Sequence, residues 1–136
     1  MTDETNETVR IAVYSDGIFA VAITLLVLDI HVPPPEHLPT GGLSAAFLAQ
    51  WPVYLAYVTS FLTILVMWIN HHKIFQHIRW ADHGLMIYNG LLLMDITLVP
   101  FPTSLAASYI RQPDARIAVG LLNGLTLLIA VAFNLL

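Results

Sequence analysis

The 136 residues are 57% hydrophobic and only 10% charged, with a mean hydropathy of +0.75. A soluble domain of that size cannot hide so much apolar surface, so the composition excludes the soluble globular class and predicts an integral membrane protein. A net charge of -4, with five scattered basic residues, leaves no basic face for nucleic acid, and the lack of cysteine excludes disulfides, thiolate catalysis and cysteine-ligated metal.

The acidic leader Met1 to Thr8 lacks the basic start and small-residue cleavage site of a signal peptide, so the first apolar span is expected to stay in the mature protein. That span runs from about Ile11 to Ile30, long enough to cross a bilayer as a helix of roughly 20 residues, and Pro33, Pro34 and Pro35 stop it. A loop from His31 to Gly42 leads to a second span at about 43–69, ended by the polar run Asn70, His71, His72 and Lys73. Ile74 to Asp82 reads as a partly helical connector. The third span, about 83–107, carries Asn89 and Asp95 and should kink or end near Pro100 and Pro102. After a tight loop from Ser108 to Ala115, a fourth span runs from about 116 to 136. The reading is an all-α membrane bundle of four transmembrane helices, residues 1–136 forming a single transmembrane domain. A cytoplasmic N-terminus places Arg10, Lys73 and Arg79 inside and Arg111 and Arg116 outside, a narrow excess in the expected direction.

Three groups of residues carry possible chemistry. Tyr14, Gly17, Val21, Thr24 and Leu28 are spaced three and four apart and share one face of the first helix. Such a face either packs on another helix, the ordinary role of small residues and threonine in membranes, or lines a pathway in an oligomer. The second group joins Arg10, Ser15 and Asp16 at the start of span one to Trp68, Asn70, His71 and His72 at the end of span two. If the two helices are antiparallel neighbours, both clusters lie at one membrane level and can satisfy each other, because an ionisable group facing lipid costs roughly 2.5 to 3.5 kcal/mol. The third group is His71, His72, His77 and His83 with Asp82. Adjacent or five-residue spacing does not bring ligands to one helix face, so these read as surface or interface residues rather than a metal centre, and no cofactor is implied. Asp29, at the far end of span one, is a candidate for the mouth of a pore, where a ring of carboxylates attracts cations. Asp95 reads as an inter-helix hydrogen-bonding residue, with proton relay as its alternative.

Arg10-x-x-x-Tyr14-Ser15-Asp16, followed by Ala22-Ile-Thr24-Leu-Leu-Val-Leu28-Asp29-Ile30, resembles the signature of the transmembrane protein 175 family of lysosomal and bacterial potassium channels, with tyrosine in place of the usual phenylalanine at position 14. The Trp68-x-Asn70-His71-His72 ending of span two and the turn Leu98-Val-Pro100-Phe-Pro102-Thr103 are similar to the family's as well. The resemblance implies a homotetramer in a bacterial inner or plasma membrane, passing potassium ions, and protons as a second permeant, through a central pore lined by the first helix. It also implies that a hydrophobic constriction with a nearby hydroxyl, here Val21, Thr24 and Leu28, sets selectivity in place of a Gly-Tyr-Gly filter. The family usually has leucine or isoleucine where Val21 stands, a departure that bears on selectivity. Arg10, Tyr14, Ser15 and Asp16, with the end of span two, would hold the helix in place. Family subunits have six spans against the four read here, which marks the sequence as a truncated form. Two other classes remain open on the residues alone: a proton-coupled transporter using Asp16 and Asp95, and a histidine-metal membrane enzyme.

Overall fold

The computed structural model describes residues 3–78, 80 and 82–136, the side chains from residue 7 onward, so Arg79, counted above among the inside charges, lies outside the described residues. Among the described residues the architecture is all-helical. The helices are α1 (Asp3–Leu25), α2 (Gly42–Ala49), α3 (Trp51–His77), α4 (His83–Leu98), α5 (Pro100–Tyr109) and α6 (Ala115–Leu135). Among the described residues four stretches are long and apolar enough to cross a membrane, namely Glu7–Asp29, Trp51–His77, His83–Tyr109 and Ala115–Leu135.

The boundaries differ from the sequence reading in physically informative ways. The α-helical part of span one stops at Leu25 and tightens into a 3-10 turn over Leu26–Asp29, well before the prolines. The second span does not begin at Leu43: α2 is a separate short helix, and Gln50 caps a new helix with Pro52 in its first turn, where a missing N–H costs nothing. Gly42, at φ 70°, supplies the backbone reversal that starts α2. Nor does the run Asn70, His71, His72, Lys73 end the helix, which continues to His77. Polarity alone does not stop a helix when its side chains find partners, and these histidines do. At the third span the proline pair acts as expected: the helix breaks at Val99 and restarts as α5 with Pro100 at its first position. Asp82 caps α4, its Oδ1 accepting the Leu85 N–H at 2.8 Å.

Packing follows from one buried stripe on each helix. Helix α1 lies against α3 and α4, α6 lies against α4 and α5, and α5 packs on α3. Phe19, Ala22 and Leu26 from the first span meet Ile64 of α3, Leu92, Leu93 and Ile96 of α4, and Ile129 and Ala132 of α6 in one core. Ser60 and Thr103 tie α3 to α5 by a buried hydrogen bond of 2.8 Å. The Thr103 hydroxyl donates to the Val99 carbonyl, so Ser60 is the donor in that pair.

Candidate functional site

The face that α1 turns to the core is Ser15, Phe19, Ala22 and Leu26, all buried. With 100° per residue, the expected stripe of Tyr14, Gly17, Val21 and Thr24 falls on the opposite side, and the structure leaves it uncovered: Tyr14 is 66% exposed, Val21 55% and Leu28 66%. The stripe does not pack within the subunit. Leu28 sits in the 3-10 turn, where each residue advances about 120°, so it is rotated by roughly 60° from its place on an ideal α-helix. The Thr24 hydroxyl donates to the Val21 carbonyl at 2.8 Å. Its hydrogen is therefore engaged with its own helix, on an exposed side chain. Asp29, half-buried in the same turn, follows Leu28, and His31 Nδ1 donates to the Asp29 carbonyl at 2.7 Å.

On the buried side, two connections hold α1. Trp68 donates its indole N–H to Asp16 Oδ1 at 2.7 Å, and the Trp68 ring stacks on His72 at a centroid distance of 5.6 Å. The second connection passes through a residue that the sequence presents only as a polar interruption of span three. Asn89 of α4 donates its amide to Ser15 Oγ at 3.0 Å and faces His71 Nε2 with Oδ1 at 2.8 Å. An amide oxygen only accepts, so His71 donates from Nε2. Ser15 in turn donates to the Ile11 carbonyl at 2.9 Å. The result is a one-way chain of donors from α3 through α4 to α1, with all three side chains buried. The His71 ring stacks on Phe75 at 4.4 Å and meets Phe19 at 5.2 Å. The signal in the sequence was present but undirected: an asparagine in an apolar helix needs partners, and spacing does not say which.

Of the other residues in that expected network, Arg10 and Asn70 are exposed, and among the described residues neither has a partner. The histidine group does not converge. His71 is in the core, His72 is stacked on Trp68, His77 donates to the Lys73 carbonyl at 2.7 Å, and Asp82 is a helix cap. Among the described residues no three potential ligands are grouped to hold a metal ion. Asp95 is 5% exposed and, among the described residues, has no hydrogen-bond partner.

The profile of the endosomal/lysosomal potassium channel TMEM175 family matches residues 10–100, which include the whole buried network. The chain belongs to the TMEM175 family. It is 53% identical over 131 residues to a potassium channel of Chamaesiphon minutus, covering 96% of this chain and 64% of that protein. The fold is similar to the crystal structure of a lysosomal potassium-selective channel TMEM175 homolog from Chamaesiphon minutus, with a TM-score of 0.91 over 95% of this chain and 69% of the other. The endosomal/lysosomal proton channel TMEM175 of Homo sapiens is 36% identical over 110 residues, 76% of this chain and 22% of that protein. The chain thus spans less than two thirds of the bacterial TMEM175 relative. These relatives are named as channels, and none carries the name of an enzyme.

Proposed function

We propose that this TMEM175-family protein is a potassium-selective ion channel, a homotetramer in which α1 of each subunit lines a central pore, in a bacterial inner or plasma membrane with the N-terminus cytoplasmic. Residues 1–136 act as one channel domain. The observation that carries the reading is the two-sidedness of α1: one face is locked to α3 by a half-buried hydrogen bond and to α4 by a buried one, while Val21, Thr24 and Leu28 are left uncovered on the other. A helix so fixed can present a rigid ring of side chains to an axis.

In that ring, Val21 and Leu28 form apolar constrictions that shed water and gate by dewetting. A potassium ion loses its hydration water more readily than sodium does, so a tight apolar ring penalises sodium more. Thr24 supplies an oxygen whose lone pairs are free because its hydrogen is held by Val21. Asp29, just beyond the ring, draws cations to the pore mouth. Ser15, Asp16, Trp68, His71 and His72 serve to place the helix and do not touch the ion. The channel works without a cofactor or nucleic acid; its partners are potassium, the bilayer and its own copies.

The test is the reversal potential in planar bilayers under potassium-sodium gradients. Thr24→Ala should lower the preference for potassium, because each subunit loses one oxygen while the width barely changes. Leu28→Asn should raise conductance by wetting the constriction. Leu127→Asn, on an equally exposed apolar position of α6, is the control. Equal effects from the control, or no effect from either α1 variant, would remove the pore from this face. Proton passage is a second permeation reading, favoured by the name of the human relative; a pH gradient imposed across the same bilayers tests it.

A further inference from the structure

We propose that the groove between the first half of α1 and the end of α3 binds a small lipophilic amine, with its ammonium group on Asp16. The groove has a volume of about 370 Å³, and its walls include Thr8, Ala12 and Asp16 on α1 and His72, Phe75 and Gln76 on α3. That space suits an apolar body of one or two rings.

Charge selects the ligand class. Among the described lining residues Asp16 is acidic and none is lysine or arginine. The Asp16 carboxyl is half-buried and, among the described residues, takes one hydrogen bond, from the Trp68 indole to Oδ1. Its second oxygen is left for a donor, and a cation with N–H groups satisfies it better than a neutral hydroxyl, since hydrogen bonds to charged groups are the stronger ones. The aromatic side chains of Phe75 and His72 are among the walls of the same groove and favour a cation or a flat ring beside them. Remaining polar contacts are available from the side chains of Gln76 and His72.

Depth separates a free amine from a lipid headgroup. The span starts at Glu7, and Asp16 lies nine residues further along, about 13 Å down the helix axis. An aminolipid ammonium stays at the interface, whereas a compact amine with an apolar body can reach that level.

The test uses the full chain in phosphatidylcholine nanodiscs. The probe is 2-(1-naphthyl)ethylamine, and 2-(1-naphthyl)ethanol is its uncharged counterpart. With three tryptophans in the chain, the Trp68 indole N–H gives a resolvable nitrogen-proton resonance, assigned by its loss in Trp68→Phe. The amine should shift that resonance saturably, and the alcohol should bind about tenfold more weakly, the ratio expected when a charge-assisted bond replaces a neutral one. Asp16→Asn keeps an oxygen for the indole and should abolish the difference between the two probes. Ala12→Phe fills the groove and should remove the binding of both while leaving the unliganded resonance sharp. If Asp16→Asn does not fold, the two probes and Ala12→Phe still decide. Equal binding of amine and alcohol to the parent, or an undiminished shift in Ala12→Phe, would overturn the assignment.

Discussion

Replacing Asn89 by leucine, which keeps the branching at Cγ and removes both polar atoms, tests whether the buried donor chain holds α1 in place. The substitution removes two hydrogen bonds, to Ser15 and from His71. Each is worth about 0.6 to 1.5 kcal/mol in a membrane bundle. Ser15 keeps its bond to the Ile11 carbonyl, so its loss is small. His71 fares worse, because among the described residues its Nδ1 already has no partner and its Nε2–H would lose its one acceptor; a buried unsatisfied donor adds roughly 1 to 3 kcal/mol. The expected loss is therefore about 2 to 4 kcal/mol, read as a drop of several degrees in the melting temperature of the purified protein in detergent. Ser15→Ala alone should cost less, and the double variant should cost less than the sum by about 0.5 to 1.5 kcal/mol, because both changes cut the same chain. An Asn89→Leu protein that melts with the parent, or strict additivity with Ser15→Ala, would show that the chain contributes packing and nothing more.

Two further outcomes follow from the same geometry. Asp16→Ala strands the Trp68 indole N–H, costing about 1 to 3 kcal/mol, and should weaken oligomer stability on native gels and in thermal melts more than it changes ion preference in bilayers. Treatment with a strong chelator should leave melting temperature and ion flux unchanged, since His71, His72 and His77 each have separate neighbours in the structure; a loss of folding or flux would establish a metal requirement.

How much of this was legible in the sequence depends on the range of the interaction. The three-and-four spacing of Tyr14, Gly17, Val21 and Thr24 is local, and it places these residues on one face whatever the rest of the chain does. The level match of Asp16 with Trp68 follows from two antiparallel helices and the need of a buried carboxylate for donors. Asn89 is not legible as a hub because its partners stand 18 and 74 residues away, and nothing local distinguishes a hub from a lone amide. The continuation of α3 through Asn70 to Lys73 is hidden from the sequence for a related reason: His71 and His72 are accommodated by Phe75 and Trp68, so the polar run carries no breaking force. The rotation of Leu28 comes from a 3-10 turn that composition does not announce. Ala22, which sits off the stripe by spacing, proves to be fully buried, so it reports on the core and not on the pore.

The central claim, that the uncovered face of α1 lines the pore, is tested most directly by accessibility. The chain has no cysteine, so single substitutions at Gly17, Val21, Thr24 and Leu28 can be probed in an unlabelled background with silver ions or a cationic thiol reagent during current recording. The account predicts rapid block at these four positions, slowed when potassium occupies the pore, and no block at Leu62 or Leu127, which are exposed on α3 and α6. Block at Leu62 or Leu127 with none along α1 would contradict it.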